Sequence, residues 1–319
     1  MIVDIYTHHI SPRTEKLLAK AKYYGEGKEF PYPPQNADPE ARLELMDRYG
    51  VDVQALSQTT PVLLGQTAED AAELCRISNE DNYAMCKAYP DRFVNIGILS
   101  LLNVSTAMDE LNRCINDLDC RGITLATNYN GIGLDNPDFF PIYEKIIEHD
   151  LPIFLHGTHW EGYPLVSMEE GWRMMHVWGW DFDNTQAVWR MIFGGVLDRF
   201  PSMKLITHHL GNFIPYWKRR IEINFNGFLS DKLPKHISEY WGNIYGDTAM
   251  DGEMAAFPCG YAFFGSERMM YGSDYPFGAE SGEDFIRENL KCVKAMMIPP
   301  EEKEKILGGN AVKMLKIKQ

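Results

Sequence analysis

Eight short runs of apolar, largely β-branched residues alternate along this chain with stretches of helical length, and that alternation restricts the fold more than any other feature. The runs cover residues 2–7, 53–57, 93–100, 122–126, 152–156, 204–208, 244–248 and 269–272. Between them the sequence predicts helices over residues 39–49, 68–88, 138–149, 184–200 and 282–295. Strict alternation implies parallel strands with helices packed outside, and eight such units close a (β/α)8 barrel. The expected fold class is therefore α/β, a TIM barrel of the metal-dependent hydrolase type, with one domain over residues 1–319.

Local signals sharpen the outline. Asp38 before Pro39 reads as an N-cap followed by proline at the first helical position, and Gly50 reads as the glycine that ends the same helix. Two connections are long for a compact domain, residues 11–36 and 157–183. The second holds Trp160, Trp172, Trp178 and Trp180, which suits a lid, a subunit contact or plain surface packing.

Composition narrows the function classes. A formal net charge of -14 opposes a nucleic-acid partner, whose phosphates would be repelled. The amino terminus has neither the basic nor the apolar region of a leader, and no uncharged apolar run approaches the ~18 residues of a membrane span. The six cysteines form no C-x-x-C pair and read as reduced thiols. The expected setting is the cytoplasm, with a small-molecule substrate and no nucleic acid or membrane partner.

The histidines carry the chemistry. His8, His156 and the pair His208 and His209 fall at the ends of the first, fifth and sixth predicted strands, and Asp274 follows the eighth. In a barrel these ends open onto one face, so residues distant in sequence converge there. Two imidazoles and a carboxylate suit a divalent ion such as Zn²⁺, and three protein ligands leave a position open. His9 alternates to the other face of its strand and reads as structural. His149 and His176, in or beside helical stretches, read as structural too.

Several motifs, in order, resemble one family. They are Asp4 to His8, Pro39 to Asp47 leading into Gly50 to Ser57, Phe154 to His156, Gly195 to Pro201, His209 to Gly211, Gly272 to Phe277 and Gly308 to Ala311. The chain thereby resembles, nearly end to end, the amidohydrolase-related decarboxylases, the group that includes 2-amino-3-carboxymuconate 6-semialdehyde, γ-resorcylate and 5-carboxyvanillate decarboxylases. The resemblance implies a metal-dependent decarboxylase of a small aromatic or unsaturated carboxylic acid. The alternative on the same site is a hydrolase of an ester, lactone or thioester, or a hydratase.

Carried over residue by residue, the resemblance makes His8, His156 and Asp274 the metal ligands, for Zn²⁺ or else Mn²⁺ or Fe²⁺. It makes His209 the general acid/base working with Asp274. Arg42 and Arg220 become the holders of the substrate carboxylate, Arg220 reaching in from the second subunit of a homodimer. Trp160 and Phe277, with Pro61, Leu63 and Leu64, are candidates for an apolar substrate wall. One departure stands out: the family has His-x-His or Glu-x-His on the first strand, and this chain has Tyr6 two residues before His8. Tyr6 binds the metal as a phenolate, stands back in favour of water, or weakens the metal site; the second is the expectation.

Overall fold

A computed structural model describes residues 1–18, 38–63, 65–158 and 175–318 of the chain. Its strands in chain order are β1 Val3–His8, β2 Val53–Ser57, β3 Phe93–Asn95, β4 Gly97–Ile98, β5 Ile123–Ala126, β6 Asn128–Tyr129, β7 Ile132–Gly133, β8 Ile153–His156, β9 Leu205–Thr207 and β10 Ile244–Gly246. Apart from the small antiparallel hairpin of β6 and β7, all pairing is parallel: β1-β2-β3 in one sheet and β10-β9-β8-β5-β4 in another.

The two sheets are joined at both edges. Ile96 N donates to Leu56 O and Gly97 N to Gly122 O, so the third predicted strand, split into β3 and β4, belongs to both. At the other edge, residues 268–271 lie between β10 and β1: Gly246 N donates to Arg268 O, Met270 N to Gly246 O, and Ile5 N to Tyr271 O. The eighth predicted strand thus contributes one ladder bridge, Gly246 with Met269, together with the bonds that run to β1. Eight parallel segments follow one another round a ring, as the alternation requires.

Side chains alternate across that ring. Ala55, Phe154, Ile206 and Met270 belong to one buried cluster, while their chain neighbours Leu56, Leu155, Leu205 and Met269 belong to a larger one between strands and helices. The helices forming the outer layer start and stop where the sequence signals them. In α2, Pro39–Tyr49, the Asp38 side chain accepts from Glu40 N and Ala41 N, and Gly50 closes the helix at φ 71°. The α3 helix, Ala68–Ala88, is capped by Thr67 and buries Ala71, Leu74, Cys75, Ser78 and Met85 on its inner face.

Other expectations are adjusted. The long connection after β1 contains a helix, α1 Pro12–Leu18, before it leaves the described residues. A helix α4, Val104–Asn116, stands between β4 and β5, and α5, Phe140–Glu148, follows a short 3-10 turn. The helix predicted over residues 184–200 is two, α6 Trp180–Phe193 and α7 Val196–Arg199. The break comes at Gly194 and Gly195; the second has φ 77°, which a side chain would strain. The α8 helix, Ile214–Asn224, follows the histidine pair. Among the described residues no helix is long and apolar enough to cross a membrane.

Candidate metal centre

The alternation that turns Phe154 and Ile206 into the ring also turns His156 and His208, two residues later, toward the same end. Asp274 arrives there from the segment after Met270, on a left-handed backbone at φ 67°. His8 ends β1 beside Ser57 of β2, after a register irregularity between Asp4 and Thr7. Irregularities of this kind re-aim side chains at barrel rims.

His8 Nε2, His208 Nε2 and Asp274 Oδ1 meet. His8 Nε2 lies 3.0 Å from Asp274 Oδ1 and His208 Nε2 lies 3.1 Å from it. Donor atoms from these three residues all fall within 4.8 Å of one another. His8 Nε2 is buried and makes no hydrogen bond, and a buried nitrogen left without a partner is costly unless something else satisfies it. An imidazole lone pair aimed at a carboxylate oxygen fits two ligands of a common cation, and the donor set is one that divalent metals take.

The rings around this point differ in state. Burial pushes His8 down, and burial with the neighbouring His8 and His208 pushes His156 well down, so both favour the neutral form with a lone pair to give. The Nδ1 of His156 faces Gly157 O at 2.9 Å and Thr60 Oγ1 at 3.1 Å, which directs its Nε2 away from the main chain. A ring nitrogen fixed by a backbone carbonyl is the usual support for a metal-binding imidazole. His208 is the opposite case. Burial alone would lower it, but Asp247 and Asp274 outweigh that and hold it up at about 10. Its Nδ1 is hydrogen-bonded to Asp247 and its Nε2 to Asp274. Asp274, against the upward push of burial, is kept well below the carboxylate range chiefly by His208.

The structure places the expected residues as follows. Of the foreseen trio, His8 and Asp274 converge, and the imidazole whose donor atom meets Asp274 alongside His8 is that of His208. His156 lies against His8, ring centres 5.3 Å apart against 6.0 Å for His208, but its donor atoms are not in the group that meets at Asp274. His209 does not take the inward position: its backbone turns left-handed at φ 50°, its ring lies against that of His208 with centres 3.9 Å apart, and its Nδ1 meets Ala249 O at 2.9 Å. Tyr6 stands back from the ligand atoms. It is fully buried, donates its hydroxyl to Leu155 O at 3.1 Å and stacks on His208 at 3.8 Å. Burial, Asp247 and Asp274 hold its phenol well above the ordinary value, so it keeps its proton.

The two arginines stand in different settings. Arg42, expected to hold a substrate carboxylate, is wholly buried behind β1 with its guanidinium given to Thr7 Oγ1, Gln54 Oε1 and His8 O. Arg220 is exposed on α8 and makes no ion pair among the described residues. Phe277 is half-buried with its ring 5.4 Å from that of His8. Pro61 and Leu63 are buried, and Trp160 and Leu64 lie outside the described residues. One further group, Asp247, went unread in the sequence, and Trp180, read there only as part of the aromatic-rich connection, lies 6.1 Å from His156 by ring centres. Asp247 had a signal, an acid at the carboxyl end of a barrel strand.

The sequence profile of the amidohydrolase family matches residues 5–317. The chain belongs to the amidohydrolase family. Among its relatives is 2-amino-3-carboxymuconate-6-semialdehyde decarboxylase of Dictyostelium discoideum, 32% identical over 314 residues, spanning 97% of this chain and 83% of that protein. The crystal structure of 5-carboxyvanillate decarboxylase from Sphingomonas paucimobilis superposes with a TM-score of 0.87 at 25% identity, covering 99% of each chain. The same enzyme from Novosphingobium aromaticivorans, solved with manganese and 4-hydroxy-3-methoxy-5-nitrobenzoic acid, shares the fold at a TM-score of 0.85 and 21% identity over 99% of this chain and 96% of that one. The protein is thus an amidohydrolase-superfamily enzyme with a TIM-barrel fold and a donor set for a divalent metal, and these relatives are decarboxylases.

Proposed function

We propose that this protein decarboxylates a small aromatic or unsaturated carboxylic acid, with His208 as the proton donor. The arrangement that carries the reading is the chain Asp247, His208, Asp274, with the buried His8 Nε2 facing the same Asp274 oxygen. His8, His156 and Asp274 would hold the metal, Zn²⁺ in this proposal with Mn²⁺ or Fe²⁺ as alternatives, and when bound it supplies a Lewis acid that neutralises charge on the substrate. Distance alone favours His208 over His156 as the third ligand. We give the place to His156 because both nitrogens of His208 are already held by carboxylates, whereas the Nε2 of His156 is left open.

The residues then divide the work. His208, oriented through Nδ1 by Asp247, presents the Nε2 proton to the substrate carbon that bears the carboxylate. Protonation there makes that carbon tetrahedral; breaking its bond to the carboxylate returns the electron pair to the conjugated system and releases carbon dioxide. Tyr6, stacked flat on His208, keeps the ring from rotating. Phe277 beside His8 and Trp180 beside His156 offer aromatic rings to a planar substrate. Named relatives that act on aromatic or muconate acids support this class. Incubated with a panel of such acids, the metal-loaded protein should release carbon dioxide and the matching decarboxylated product in equal amounts. Acid release from esters or lactones with no carbon dioxide from any acid would overturn the assignment.

The proposal extends to a homodimer working in the cytoplasm. All six cysteines are free, as a reducing compartment requires. One side of α8 and the turn after it exposes Tyr216 at 78%, Trp217 at 46%, Ile223 at 54% and Phe228 at 78%, with Arg220 among them. Such a patch suits a second copy of the chain, placing Arg220 to reach the partner's substrate carboxylate. Sedimentation should show a dimer that Tyr216→Glu with Phe228→Glu converts to monomer. An unmodified chain that sediments as a monomer at micromolar concentration would remove the dimer from the proposal.

A further inference from the structure

We propose that Arg42 is a positioning residue for the metal centre, fixing the main chain around His8 directly and that around Asp274 through Gln54 and Asp4. This rests on the reading of His8 and Asp274 as ligands.

The contacts fall in a pattern that packing alone would not produce. The Arg42 guanidinium donates to His8 O at 2.5 Å, to Thr7 Oγ1 at 3.3 Å and to Gln54 Oε1 at 3.0 Å. Gln54 passes the link on, its Nε2 donating to Asp4 Oδ2 at 3.3 Å. Asp4 then takes Ser273 N on one oxygen at 2.9 Å and Ser273 Oγ on the other at 2.6 Å. The ring of Tyr275 lies under the guanidinium, 4.6 Å away. Every end point is therefore His8 itself or a residue flanking one of the two ligands: Thr7, Ser273 and Tyr275. The segments are cross-tied as well, by His8 N to Tyr275 O at 2.7 Å and Asp274 N to Tyr6 O at 3.0 Å.

A buried guanidinium is a poor way to gain stability, because an apolar side chain of the same volume often serves as well or better. Its planar fork does something an apolar group cannot, which is to fix acceptors in several directions at once. Here those acceptors sit on β1 and β2, and the carboxylate at the end of the chain reaches the segment that carries Asp274. The role also accounts for a buried arginine on the inner face of α2, which it shares with Leu45 and Met46.

The test uses Arg42→Met, which keeps the volume, and Gln54→Met, which cuts the link to Asp4. The apo-protein is titrated with Zn²⁺ against a competing chelator, and folding is followed separately by circular dichroism. Each variant should bind Zn²⁺ about 10- to 100-fold more weakly than the unmodified chain, the range for partners that orient metal ligands. Turnover should fall with it, while KM measured at saturating metal stays near its original value. A folded Arg42→Met protein with unchanged Zn²⁺ affinity overturns the inference, as does a rise in KM alone, which would mark a substrate clamp. A purely structural arginine lowers the melting temperature and leaves the affinity in place, also overturning it. Should Arg42→Met fail to fold, Gln54→Met decides by the same measure. Failure of the unmodified chain to bind Zn²⁺, Mn²⁺ or Fe²⁺ falls instead on the reading of the site.

Discussion

His208→Asn should leave a folded, metal-loaded protein that turns over at least about two decades more slowly, the scale of a lost acid/base. Asparagine is chosen because its amide can still donate to Asp247 from near the Nδ1 position, so the buried carboxylate keeps a partner. What disappears is the Nε2 proton facing Asp274. His209→Asn provides the contrast: its ring is half-buried at the rim, bonded among the described residues to Ala249 O, and its loss should cost far less. A His208→Asn protein with near-normal carbon dioxide release, or a His209→Asn protein as inactive as expected of His208, would return the acid role to His209. Steady-state rates with the best substrate from the acid panel decide between them.

The second large effect concerns the metal. His8→Ala and His156→Ala should each purify with less than about a tenth of an equivalent of transition metal, because two remaining ligands do not complete a three-ligand protein site. His208→Asn should carry a full equivalent. The comparison separates the two possible trios: if His208→Asn arrives without metal and His156→Ala with it, then the imidazoles nearest Asp274 in space are the ligands and His156 lines the pocket. Elemental analysis of the three proteins, prepared alike, gives the answer without reference to any substrate.

Much of this architecture can be read before any coordinates. The eight apolar runs, the capped helix from Pro39 to Gly50 and the convergence of His8, His156 and Asp274 at one end follow from periodicity and from where a barrel's strands open. The choice between His208 and His209 does not. Strands buried on both faces, such as Leu205–Thr207, carry no polar alternation to say which side faces the ring. The left-handed turn at His209 is invisible in the residue type. Asp247, 39 residues from His208, needed the same missing information. Arg42 was more legible than it seemed, since it shares a helical face with Leu45 and Met46, and that spacing already places it inward.

The ring closure through Ile5 and Tyr271, and the bond between Asp4 and Ser273 across 269 residues, have a consequence in time. No segment shorter than the 267 residues from His8 to Asp274 can bring the two side chains together. During synthesis His8 leaves the ribosome well before Asp274, so a chain cut between them can form helices and half a sheet yet lacks the site, and capture of an ion would mark the moment at which the first and eighth segments of the ring have found each other.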